Sequence, residues 1–143
     1  MTFSSREILE TVRMFELETL DIRTTTLGVS LLDCADPDLE STCEKVYAKI
    51  VHHGQNLVAV ADSIRDEFGV PIVNKRIAVT PIALVAAASG ARDLVPLARA
   101  LDAAAKAVGI DFIGGFSAYV HKGFTRADDA LFASIPQALT ETV

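Results

Sequence analysis

The chain has no tryptophan, only two cysteines and no apolar run long enough to cross a bilayer. Cys34 and Cys43 are too few for a disulfide framework, and their spacing fits no zinc pattern, so a reducing, cytoplasmic setting without a metal site is expected. The longest apolar run, Ile77 to Ala88, is broken by Thr80-Pro81 and falls short of the roughly 18 residues that mark a spanning helix. Basic charge is scarce: 13 Lys and Arg against 19 Asp and Glu leave a net charge of -6, with no Lys/Arg cluster. That balance argues against nucleic acid and against anionic membrane surfaces as partners. The opening Met-Thr-Phe-Ser-Ser-Arg-Glu lacks the basic-then-apolar order of a signal peptide. Low-complexity segments, internal repeats and linkers are absent too, so the 143 residues read as a single α/β unit, 1–143.

What is plentiful is apolar surface. Half of the residues are apolar and the mean hydropathy is +0.35. For a free-standing domain that is high, and it leads to the expectation of a homo-oligomer or of a complementary chain.

Three segments read as strands. In Asp21–Leu32, Leu27, Val29 and Leu31 share one side, while Thr24, Thr26, Gly28 and Ser30 share the other. In Pro71–Pro81, Lys75, Ile77 and Val79 point one way, and Asn74, Arg76, Ala78 and Thr80 point the other. In Ile110–Val120, Phe112, Phe116, Ala118 and Val120 are placed on one side and Ile113, Gly115, Ser117, Tyr119 and His121 on the other. Gly114-Gly115 allows a bulge or the close approach of another backbone.

Helices separate the strands. Ser4 and Glu7 have capping-box spacing ahead of a helix over Ser5–Leu17. Asp36-Pro37-Asp38 reads as an Asp cap with Pro at the first helical position. Helical spacing then runs to Gly69, lapsing at His52-His53-Gly54, where one helix bends or two meet. Thr80-Pro81 opens a short buried helix to Ala88, and another runs from Arg92 to Val108, with Gly109 ending it. Thr125 and Asp128 cap a last helix, which Ser134-Ile135-Pro136 is expected to break.

Alternating strands and long crossovers mean an α/β fold with parallel strands. Central strands of a doubly wound sheet are apolar on both faces, but these carry one apolar and one small, polar face. Such faces suit the wall of an α/β barrel or half-barrel whose lumen holds a ligand.

On that wall Arg76 and Asn74 suit a carboxylate or phosphate, because a guanidinium fork matches either anion. The alternative is an ion pair of Arg76 with Asp33 or Asp111. Thr24, Thr26, Ser30, Thr80, Ser117 and Lys122 are further ligand-binding candidates, although each hydroxyl has the alternative of satisfying backbone. Cys34, at the carboxyl end of the first strand, is the candidate nucleophile with Asp33 and His121 as catalytic partners; its alternative is a small buried residue in a turn. Cys43 lies on an apolar helical stripe, and the adjacent His52 and His53 diverge too far to share a metal. A small anionic molecule is therefore the expected ligand, bound by an enzyme, by a non-catalytic sensor, or by neither if the chain is a structural fragment.

Asp21-Ile-Arg-Thr-Thr-Thr-Leu-Gly-Val-Ser-Leu-Leu-Asp-Cys-Ala-Asp-Pro-Asp38 resembles the start of an uncharacterised bacterial and archaeal family, labelled PFL family protein or domain of unknown function. Pro71-Ile-Val-Asn-Lys-Arg-Ile-Ala-Val-Thr-Pro-Ile82 and Asp111-Phe-Ile-Gly-Gly-Phe-Ser-Ala118 match it in the same order. The resemblance implies the N-terminal part of a larger barrel domain, similar in fold to the pyruvate formate-lyase-like glycyl radical enzymes. The chain contains no glycyl radical motif, and its cofactor is unknown. Where the family usually has Gln before Lys-Gly, this sequence has His121.

Overall fold

The computed structural model describes residues 4–17, 21–121 and 123–143. Chain order is helix α1 (Ser5–Glu16), strand β1 (Ile22–Val29), a 3-10 turn (Leu32–Cys34), helices α2 (Leu39–Gly54) and α3 (Leu57–Phe68), strand β2 (Ile72–Val79), helices α4 (Ile82–Ala86) and α5 (Val95–Val108), strand β3 (Phe112–Gly114) and helix α6 (Arg126–Glu141).

Local signals set most boundaries. Ser4 and Glu7 form the expected reciprocal cap on α1. Gly69 and Gly109 end α3 and α5 in the left-handed conformation, each with φ of 71°. Pro96 sits in the first turn of α5, where its missing N–H costs nothing. At His52-His53-Gly54 two helices meet, with Gln55 and Asn56 between them.

Three expectations are corrected. The cap of α2 is Asp38, whose side chain accepts from Ser41 N at 2.8 Å. Asp36 instead accepts from Asp38 N at 2.9 Å and pairs with Lys45 at 2.6 Å. Pro136 lies inside α6 rather than ending it. Ser134 Oγ accepts from Leu94 N and donates to Ala130 O, both at 2.8 Å, and this holds α6 to the start of α5 through the proline turn. The third strand is only three residues long, not the eleven from Ile110 to Val120.

The strands form one parallel sheet in the order β1-β2-β3. Helices α2, α3 and α5 contact β1, β2 and β3 in turn, so their packing covers one face. Ile77 on the central strand is fully buried on that side, and Val29, Val46, Ile50, Leu97 and Leu101 join it in the core. Burying each such side chain stabilises the fold by about 1.5–3 kcal/mol before entropy is counted. Gly54 permits a tight fit of α2: a Cβ there would lie 2.8 Å from Ile77 Cδ1 and 3.3 Å from Val108 Cγ1.

The opposite face stands open, with Thr24, Thr26, Gly28, Arg76, Ala78 and Phe112 all exposed. The sheet is three-stranded and does not close, so the fold is an open α/β layer rather than a barrel. Its sequential strand order with helices on one side is a singly wound arrangement, unlike the reversing order of doubly wound sheets.

Candidate functional site

Strand register assembles the open face row by row. Thr24 pairs with Asn74, and Thr26, Arg76 and Phe112 stand side by side across the three strands. The next row is Gly28, Ala78 and Gly114. No atom lies within 4 Å of a Cβ built on Gly28 or Gly114, so this row is a flat floor beside the Arg76 guanidinium.

Arg76 Cζ lies 5.6 Å from the centroid of the Phe112 ring. Neither acid that might have neutralised Arg76 does so. Asp33 is paired with Lys49, and Asp111 Oδ2 accepts from the Lys75 backbone N–H at 2.7 Å. Among the described residues Arg76 has no carboxylate partner. Lys75 turns to the helical side, where its Nζ is 3.7 Å from Asp62 Oδ1. Asn74 Nδ2 donates to Arg23 O at 2.9 Å, and its amide oxygen has no donor among the described residues.

The hydroxyls divide. Thr26 and Ser30 are exposed and form no side-chain hydrogen bond among the described residues. Thr24 Oγ1 makes a long contact, 3.4 Å, to Thr25 O, and Ser117 Oγ lies 3.5 Å from Gly115 O. Thr80 is structural, because its Oγ1 accepts from Leu31 N at 3.0 Å and so ties the carboxyl ends of β1 and β2 together.

Of the catalytic candidates, Cys34 and Asp33 meet, Cys34 Sγ donating to Asp33 Oδ1 at 4.0 Å, while His121 is not joined to them. Cys34 is buried at 3% exposure within the core cluster. Burial pushes its thiol up, and the neighbouring Asp33 carboxylate pushes it further, outweighing Lys49 and Lys45. Asp33 is exposed, and the hydrogen bond from Lys49 holds its carboxyl below the ordinary value. His121 is exposed and packs edge-on against Tyr119, with ring centroids 6.2 Å apart. No hydrogen bond links it to Cys34 or Asp33 among the described residues. Lys122 lies outside the described residues. Cys43 is half-buried against the core, and His52 and His53 are exposed.

The face assignment beyond Gly114 is corrected. Phe112 points to the open face at 53% exposure, yet Phe116 and Ala118 pack against the core with Ile113. Gly115, at φ of 134°, causes the reversal. It also meets β2 so closely that a Cβ would lie 2.3 Å from Val79 Cγ2 and 2.8 Å from Val79 O. Beyond it, Gly115 O and Ser117 O accept from the Ile82 and Ala83 amides and so satisfy the start of α4. Alternation within single strands shows neither the Phe112 stack nor the small-residue row. Aligning the strands in register would have found both.

Fold and face together define an α/β protein with a singly wound parallel sheet, cationic and polar on its uncovered side. The chain belongs to the family described as Uncharacterised ACR (DUF711), which it matches over residues 13–143. It is similar to UPF0210 proteins of Listeria monocytogenes serovar 1/2a, 58% identical over 138 residues, and of Streptococcus pneumoniae strain 70585, 58% identical over 137 residues. A UPF0210 protein of Streptococcus suis strain 05ZYH33 is likewise 58% identical over 137 residues. In each case 96% of this chain is aligned, and it spans 31% of the relative's length. Among the described residues no helix is long and apolar enough to cross a membrane.

Proposed function

We propose that the open face is one wall of a cavity that binds a small anionic metabolite, with Arg76 as its anchor and Asn74, Thr24, Thr26 and Ser30 as polar neighbours. The observation that carries this reading is Arg76 itself, a strand-interior guanidinium stacked on Phe112 and without a carboxylate partner among the described residues. The flat row of Gly28, Ala78 and Gly114 supports it by leaving room for a ligand, or a ligand-bearing backbone, directly beside that charge. In the same reading the chain is the N-terminal part of a larger, cytoplasmic α/β barrel of the pyruvate formate-lyase-like kind, and further polypeptide or another subunit closes the lumen.

Binding is favoured over nucleophilic catalysis. A buried thiol held in its neutral form is a poor nucleophile, and His121 offers it no hydrogen bond. The test is thermal-shift screening of this chain and of the full-length Listeria relative against amino acids, keto acids, phosphorylated metabolites and inorganic phosphate, followed by titration of each hit. An anion that stabilises the wild type and loses at least about tenfold in affinity on Arg76→Ala supports the reading. Undiminished binding by that variant, or no anion hit in either protein, overturns it. Turnover of a hit would move the protein from sensor to enzyme.

A further inference from the structure

We propose that a second, separate site lies in the cleft between α4, the segment leading into α5 and the start of α6, and that it takes a phosphorylated sugar or polyol. The proposal goes beyond the reading of Arg76 and does not depend on it.

The cleft has a volume of about 950 Å³. Arg92, ahead of α5, and Arg126, the first residue of α6, both line it. Its floor is small and apolar, with Ala83, Leu84 and Ala87 from the α4 side and Ala130 from α6. Tyr119, 61% exposed, lines it too. α4 follows β2, and Tyr119 and α6 follow β3, so the cleft lies past the carboxyl ends of two paired strands. Parallel α/β sheets bind their ligands beyond those ends.

The two guanidiniums are not neutralised. Among the described residues neither has a carboxylate partner, although acids flank both. Asp93, next to Arg92, accepts from Val95 N at 2.9 Å. Asp128, two residues past Arg126, is buried and accepts from Thr125 N at 2.8 Å and from Thr125 Oγ1 at 2.7 Å. Both acids thus hold the backbone at a helix start. The segment that carries Arg92 is itself held, because Ala91 N donates to Ser89 Oγ at 3.3 Å and Leu94 N to Ser134 Oγ at 2.8 Å. A fixed backbone lowers the ordering cost of binding.

The chemistry of the lining selects the ligand. Two guanidinium forks match a phosphomonoester, which carries close to two negative charges and offers acceptor oxygens to both. Asp129 lines the same cleft, is exposed, and makes no side-chain hydrogen bond among the described residues. A carboxylate in that place repels bare phosphate, yet it accepts from a hydroxyl carried near the ester. The alanine floor and the Tyr119 ring suit the carbon skeleton of a compact molecule. A sugar or polyol phosphate meets all three demands: charge for the arginines, hydroxyls for Asp129, and a small body for the floor.

Amide NMR titration of this chain with ribose 5-phosphate, glucose 6-phosphate and glycerol 3-phosphate tests the proposal, with ribose and inorganic phosphate as controls. Expected are saturable shifts at residues 90–92 and 125–130 for at least one ester, which binds more tightly than either control. Arg92→Gln and Arg126→Gln should each lower that affinity at least about tenfold, while Arg76→Ala leaves it within about twofold. Asp129→Asn should weaken the ester without weakening inorganic phosphate. The preference for ester over control is read on the wild type alone, so a variant that fails to fold leaves the test intact. Absence of a saturable shift at those residues up to about 10 mM of every ester overturns the proposal. Equal affinity for ester and inorganic phosphate also overturns it. So does a loss of binding on Arg76→Ala with none on Arg92→Gln or Arg126→Gln, which would assign the ester to the sheet face instead.

Discussion

Phe112 lies beneath Arg76, its ring centroid 5.6 Å from the guanidinium carbon, and the two residues are register partners on adjacent strands. The contact holds the guanidinium by a cation–π interaction, and among the described residues no carboxylate takes its hydrogen-bond donors. A double-mutant cycle of Arg76→Ala and Phe112→Ala in urea unfolding is expected to give a coupling of about 0.5–1 kcal/mol, the worth of such a contact at an exposed site. A coupling indistinguishable from zero would mean that the stack does not hold the charge.

Gly114 and Gly115 are adjacent yet differ in what they tolerate. Gly115 combines φ of 134° with a Cβ position 2.3 Å from Val79 Cγ2 and 2.8 Å from Val79 O, so one of its two obstacles is backbone and cannot rotate away. Gly115→Ala is expected to cost about 2–4 kcal/mol. Gly114→Ala meets nothing within 4 Å and is expected to stay within about 1 kcal/mol of wild type. Thermal or urea unfolding of the two variants checks the contrast. Equal destabilisation would remove the account of why Phe112 and Phe116 face opposite ways.

Ser134 is buried and serves both helices of the α5–α6 pair. Ser134→Ala leaves the Leu94 amide without its acceptor inside the protein, and a loss of about 1–3 kcal/mol is expected in denaturant unfolding. Ser134→Cys, which keeps a weak acceptor, should recover part of it. A neutral Ser134→Ala would show that the Leu94 amide finds another partner.

The elements that the sequence revealed are those with local causes. A Ser-x-x-Glu box, glycines at φ of 71° and a first-turn proline act within a few residues, so α1, α3 and α5 are legible from the chain alone. The faces of β1 and β2 are legible for the same reason, since alternation is a property of the strand itself. β3 is not, because its length depends on where β2 stops pairing with it and on the turn at Gly115. Pro136 reads as a helix break, whereas the helix runs on through it, and the tie that docks this stretch on α5 joins Ser134 to Leu94, 40 residues apart. Arg76 and Asn74 could be placed on the polar face, but not Phe112 beneath Arg76, nor the engagement of Asp33 and Asp111 elsewhere. Those are contacts between elements, and alternation says nothing of them.

Cys34 gives a prediction in pH. Its thiol is raised above the ordinary value of 9.0, chiefly by burial. In the native state it therefore keeps its proton at pH values where the unfolded chain has lost it. The unfolded state then binds fewer protons, and stability falls with rising pH. The contribution is complete below the unfolded thiol's value and is lost progressively above about pH 9. Cys34→Ala should lessen that alkaline decline, with Cys43, also raised by burial, left to supply the remainder. Iodoacetamide labelling followed by mass spectrometry gives the companion result, with native Cys34 at least about tenfold slower than in urea at pH 8. Rapid native labelling of Cys34 at neutral pH would contradict its burial and reopen its assignment as a nucleophile.

The loop after β1 is pinned to α2 by two ion pairs, Asp33 with Lys49 and Asp36 with Lys45, their lysines one helical turn apart. Hydrogen bonds from the lysines hold both carboxyls below the ordinary 3.8. Lowered carboxyls stabilise the fold at pH values above their unfolded range, and that contribution disappears as pH falls through the folded values. Both pairs are partly exposed, so the effect is screened by salt. Lys49→Met is expected to return the Asp33 titration, followed by carboxyl carbon NMR, toward 3.8 while leaving Asp36 low, and Lys45→Met to do the reverse. Because Asp36 also accepts from the Asp38 amide at 2.9 Å, it should remain somewhat below the ordinary value even in Lys45→Met. Movement of both carboxyls together in either variant would mean that the loop is pinned as one unit rather than by two separate contacts.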